Sequence, residues 1–148
     1  MNAHLLAAAL SLLPVKRHHE AQAIVDVLER NAHAIDPFTL LAWGWRESRW
    51  DARAVGKHGE RGVLQVGQRA LIDLRKRFTH WKGARLAQLA RLDEGVAAGL
   101  DYLELMRKRL HSPSLERALK HYNSGSPDYY QHIQNLADDL RSKFGGEP

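Results

Sequence analysis

From Lys16 onward, apolar residues return at the spacing of a helix, and no stretch alternates apolar and polar residues long enough to make a useful strand. That restricts the fold to packed helices, a mainly α domain with at most a small β element near residues 51–66, where the period is lost. At 148 residues the chain suits a single domain over 1–148, which buries about two-thirds of the surface its unfolded form exposes.

Ala3 to Leu13 is apolar but too short to span a membrane, and no Lys or Arg precedes it. Ala7-Ala8-Ala9 mimics a signal-peptide cleavage site, yet the better reading of residues 1–14 is an N-terminal helix or extension ended by Pro14. Lys16 to Ile35 reads as an amphipathic helix burying Ala21, Ile24, Val25, Leu28, Ala32 and Ile35. Asp36-Pro37 is an N-cap followed by proline at the first helical position, so a new helix starts there and runs to about Trp50.

Gly56, Gly59 and Gly62 then punctuate a loop; they permit positive φ and close backbone approach, but no dinucleotide fingerprint is matched. Helical period resumes with Leu71, Leu74 and Phe78, and Lys82-Gly83 makes a loop. A long helix follows from about Leu92 to Leu110, with Leu92, Val96, Leu100, Leu103, Met106 and Leu110 inside and Gly95 and Gly99 open to a close neighbour. Ser112-Pro113 is expected to cap a helix carrying Leu115, Ala118, Leu119 and Tyr122 on one face. After the loop Asn123–Pro127, a last helix buries Ile133, Leu136, Ala137, Leu140 and Phe144 and stops at Gly145-Gly146.

Within this frame Glu47 stands out. Leu40, Trp43, Gly44 and Glu47 share one helical face (i, i+3, i+4, i+7), and a carboxyl there is a poor way to build a core. Burial disfavours the charged form of a carboxyl, which is what a general acid near neutral pH requires. Of Trp43, Trp45, Trp50 and Trp81, at least half are expected in the core.

Composition removes some chemistry. Without cysteine there is neither a disulfide framework nor a thiolate metal site, and the nine histidines show no metal-ligand spacing, so no metal or cofactor is expected. The formal charge of +5 suits an anionic partner, whether nucleic acid, an acidic membrane surface or a bacterial wall polymer. The basic residues are spread rather than blocked, so a solvated surface explains them equally well.

Three ordered motifs resemble those of the soluble, family-1 lytic transglycosylases (glycoside hydrolase family 23), whose fold is similar to that of goose-type lysozyme. They are Glu47-Ser48 with Arg49-Trp50-Asp51-Ala52; Gly59-Glu60-Arg61-Gly62-Val63-Leu64-Gln65-Val66; and His121-Tyr122-Asn123-Ser124-Gly125. Gly99-Leu100-Asp101-Tyr102-Leu103 echoes the family's long helix, and the matches put a catalytic core over about 35–144. Two departures stand: Gly56 replaces a loop serine expected to contact substrate, and Gly95 replaces an asparagine early in the long helix.

The resemblance implies a lysozyme-like domain cleaving the β-1,4 bond between N-acetylmuramic acid and N-acetylglucosamine in peptidoglycan. Glu47 would be the only catalytic carboxyl, acid and then base, leaving a 1,6-anhydro end. Ser48, Gln65, Tyr122, Asn123 and Tyr129 would contact substrate, the last with its register uncertain by one position because Tyr130 adjoins it. Glu60 is by default a turn residue, or a second acid positioning water as a goose-type hydrolase needs.

The alternatives are a muramidase on the same fold, an inactive wall-binding virion module suggested by Gly56, and a basic helical nucleic-acid binder that no motif supports. Peptidoglycan strands are therefore the expected partner, with no nucleic acid, no membrane insertion and a monomeric state. The expected place of action is the bacterial wall, for a phage-encoded lysin or a module delivered by a tail or secretion apparatus.

Overall fold

The computed structural model describes residues 2–123 and 126–146, so Ser124 and Gly125 of the third motif lie outside the described residues. Among the described residues are seven α-helices: α1 (Ala3–Leu12), α2 (Ala21–Arg30), α3 (Pro37–Ser48), α4 (Gln68–Arg77), α5 (Leu92–Arg109), α6 (Leu115–Tyr122) and α7 (Tyr129–Phe144). The β content is two isolated antiparallel bridges, Val55 with Arg61 and Arg61 with Val66, inside the expected loop. The chain divides into two compact units, Met1–Trp50 with Gln131–Pro148, and Asp51–Tyr130.

In the first unit α1, α2 and α3 pack on one another. Asp36 caps α3 as expected: its carboxylate accepts the Thr39 N–H at 2.9 Å, and Pro37 occupies the first turn. The same carboxylate receives Arg141 of α7 at 2.7 Å, tying the final helix to the start of α3. Partial burial works against the arginine's charge, but its bonds to Asp36 and Asp138 outweigh that and raise its pKa above the ordinary value.

The helix expected over Lys16–Ile35 is not continuous. Val15–Glu20 forms a 3₁₀ segment, α2 proper begins at Ala21, and it ends at Arg30, where the Asn31 amide donates to the Val27 carbonyl at 2.8 Å. The Asn31 backbone N–H shares that carbonyl at 3.2 Å while the Ala32 N–H turns to Glu29, three residues back, so the helix tightens and stops there and Ala32 is exposed rather than buried.

The second unit is built on α5. Gly95 and Gly99 do admit close neighbours: a methyl group on Gly95 would meet the Leu89 carbonyl at 2.7 Å, and one on Gly99 would run into the Leu64 side chain. Val66, Leu71, Leu74, Trp81 and Leu89 form a buried cluster, with Phe78 and Tyr102 partly buried against it. Phe78 itself has left the helix and is extended. Leu92, Leu100 and Leu110, expected inside, are only partly buried, as are Leu115, Leu136 and Phe144 in the later helices.

The cap of α6 is also displaced from its expected place. Ser114 rather than Ser112 is the N-cap, accepting the Arg117 N–H at 3.2 Å, while the Ser112 hydroxyl accepts the N–H of Ser114 itself. Trp43, Trp50 and Trp81 are buried and Trp45 partly so, in line with the expected majority in the core. No helix among the described residues is long and apolar enough to cross a membrane.

Candidate functional site

Glu47 and Ser48 form the end of α3 in the first unit. Leu40, Trp43 and Gly44 are buried on the face that Glu47 shares, and Glu47 is partly buried. The helix then stops abruptly because Arg49 and Trp50 are both left-handed, with φ of 54° and 59°. Two consecutive non-glycine residues in that region are costly, on the order of 1 kcal/mol each or more, and persist only where surrounding contacts hold them.

Here the contacts are plain. The Trp50 indole lies on Gly44, where a methyl group would come within 2.5 Å of the ring, and its N–H donates to the Leu41 carbonyl at 2.8 Å. Arg17, from the 3₁₀ segment, donates to the Arg49 carbonyl at 2.8 Å and the Trp50 carbonyl at 3.1 Å. It also pairs with Glu20 at 2.6 Å, and that hydrogen bond holds the Glu20 carboxyl below its ordinary pKa despite some desolvation. The Ser48 hydroxyl donates back to the Gly44 carbonyl at 3.2 Å.

No sequence motif pointed to Arg17. Its link to α3 spans more than thirty residues, and the signal was only an arginine at the edge of an apolar helix.

In the second unit the glycine loop is closed by its own hydrogen bonds. Gly56 N–H donates to the Glu60 carbonyl at 2.8 Å, and Arg61 and Val66 exchange bonds at 3.0 Å each. Gly59 and Gly62 take positive φ, as glycines in such a loop permit. Gly56 does not; it is needed for space, because a Cβ there would overlap the Glu60 carboxylate and the Gln65 carboxamide oxygen. The position where a serine was expected is therefore filled by two neighbouring side chains.

Gln65 is left-handed, with φ of 53°, and its amide donates to the carbonyls of Ala54 at 3.2 Å and Gly62 at 3.0 Å. The Glu60 carboxylate accepts the His58 N–H at 3.0 Å. Tyr122, at the end of α6, donates its hydroxyl to the Leu64 carbonyl at 2.7 Å and meets the Tyr102 ring edge-on at 5.7 Å. Burial is the main reason the Tyr102 phenol is held above its ordinary pKa.

Gln65, Leu64 and Tyr122 are thus brought together through the loop backbone. Asn123 follows α6 and is partly buried; its motif continues into Ser124 and Gly125, outside the described residues. Tyr129 is 1% exposed and Tyr130, beside it, is more accessible.

Comparison with curated proteins and with solved structures gives no match. The sequence profile of the transglycosylase SLT domain matches residues 28–144, which span α3 with Glu47, the glycine loop and α5 to α7. The chain therefore belongs to the transglycosylase SLT domain family, lysozyme-like helical domains of the lytic-transglycosylase type that act on peptidoglycan of the cell wall.

Proposed function

We propose that the protein cleaves the β-1,4 bond between N-acetylmuramic acid and N-acetylglucosamine without adding water, with Glu47 as the single catalytic carboxyl. The observation that carries this reading is the setting of Glu47: partly buried on the apolar face of α3, in a last turn fixed by Trp50 and Arg17. Glu47 protonates the bridging oxygen as the bond breaks, and the substrate's own N-acetyl carbonyl stabilises the cationic sugar in place of a second carboxylate. The carboxylate then takes the proton of the muramoyl C6 hydroxyl, whose oxygen closes on C1. The product is a 1,6-anhydro end; the proton Glu47 gave leaves on the 4-hydroxyl of the departing N-acetylglucosamine, and the C6 hydroxyl proton restores its acid form.

Gln65 and Tyr122 hold the sugar or the loop that meets it, and Ser48 and Asn123 complete the proposed contacts; Tyr129, 1% exposed, supports the fold rather than the sugar. Gln65, fixed in the loop, and Tyr122, bonded to that loop from the end of α6, are supported by their fixed positions, since preorganised groups lose little freedom on binding. The second reading gives Glu60 the task of orienting a water, with a reducing muramic acid end as product, although its carboxylate is already bonded to the His58 N–H within the loop.

Mass spectrometry of digested sacculi separates the two, because the anhydro product is lighter by one water. Glu47→Gln should lower turnover about a thousandfold or more, as one group serves both proton transfers. Product release by Glu47→Gln at the parent rate would remove Glu47 from the chemistry. An inactive wall-binding module would show no product from the parent chain at all.

A further inference from the structure

The second unit holds a charged groove that the proposed chemistry does not use. α4 ends in Arg75-Lys76-Arg77 and α5 ends in Arg107-Lys108-Arg109. A groove of about 430 Å³ is lined by Arg77, Phe78, Leu105, Lys108, Arg109 and His111. A second hollow of about 500 Å³ shares Lys108 and His111 with it.

Basic residues in a last turn ordinarily offset the negative end of the helix dipole, so the charges must be weighed. Against six cations stand Asp73, bonded to Arg109 at 3.0 Å, and Glu104, 3.5 Å from Arg107. Of the six, Arg77, Lys108 and Arg109 line the groove and Arg107 the adjoining hollow; with roughly half a negative charge at each helix end, these four leave an excess of about one positive charge. Arg77 and Lys108 are exposed and have no carboxylate partner among the described residues. Lys108 instead lies 5.8 Å from the Phe78 ring centroid, so the floor is apolar and the rim cationic.

We infer that this groove is a second binding site, for the free carboxylates of the peptide stems that peptidoglycan strands carry. The inference rests on peptidoglycan being the substrate. Stem carboxylates sit on short aliphatic chains, which matches a cationic rim over Phe78 and Leu105. A nucleic acid would require a longer cationic track and an open aromatic face, and the Phe78 ring already carries Lys108 over it.

The test compares Arg77→Gln/Lys108→Gln with the charge-matched Lys16→Gln/Arg69→Gln, both built on Glu47→Gln so that sacculi stay intact while bound protein is pelleted. All four exchanged side chains are exposed, and matching melting curves confirm that each variant is folded. The groove variant should lose about three- to tenfold in affinity at moderate salt, on the scale of two surface charge contacts. The charge-matched variant should not. On glycan freed of its stems by an amidase, parent and groove variant should bind alike.

Equal binding of intact sacculi overturns the inference, and so does an equal loss on stem-free glycan. A loss seen only with a phosphodiester wall polymer or with DNA overturns it too. In the background with Glu47 restored, the groove variant should turn over stem-free glycan at the parent rate, and a lower rate overturns the inference by joining the groove to the catalytic step. Absence of product from the parent chain would refute the proposed function while leaving the pelleting result readable.

Discussion

Gly56 stands where the family resemblance expects a serine, and the space its side chain would need is already taken. The Glu60 and Gln65 oxygens both lie where its Cβ would go, so any side chain must displace the two of them. Gly56→Ala should destabilise by about 1–3 kcal/mol, the usual cost of overpacking. Calorimetric melting checks it, and the cost should shrink in Gly56→Ala/Glu60→Ala, where one of the two occupants is gone. Glu20 offers a pH test. Its folded pKa is lowered, so the Arg17 pair stabilises the fold above the ordinary carboxyl value of 4.5 and ceases to do so as acid titrates the carboxylate. Urea melts of the parent and Glu20→Gln should differ by at most about 1 kcal/mol at neutral pH, and the difference should fade below pH 4.5.

At the level of elements, α3 was legible almost to the residue, because Asp36-Pro37 announces its start by local chemistry alone. Its end was not, since Arg49 and Trp50 are held left-handed by Gly44, Leu41 and Arg17, contacts made by folding rather than by neighbours in sequence. The same reason hid the 3₁₀ segment: periodicity in Lys16–Ile35 reports a buried face, and both helix types satisfy it over one turn. Of the candidate site, Glu47 was read from its face, whereas the inward bonds of Gln65 and the burial of Tyr129 left no trace in residue type. Arg17→Ala removes both bonds to the end of α3, and we expect lower kcat with little change in KM if that turn positions Glu47. Amide exchange should show faster opening at Arg49 and Trp50, with Arg17→Lys restoring part of the protection.

For the whole molecule, the order of segments matters more than their number. The unit bearing Glu47 is discontinuous, made of the first fifty residues and the last helix, while the other unit is one uninterrupted stretch. Arg141 reaches back to the cap of α3 across 105 residues. A chain stopped before Gln131 should therefore keep a protease-resistant fragment within Asp51–Tyr130 and lose protection around Glu47, which limited proteolysis with mass mapping would reveal. During synthesis the acid-bearing unit must wait for the stretch that starts at Gln131 to leave the ribosome. The proposed catalytic centre would thereby stay unassembled until α7 has been made, and a chain broken before that helix should lose it as surely as one in which the acid itself is changed.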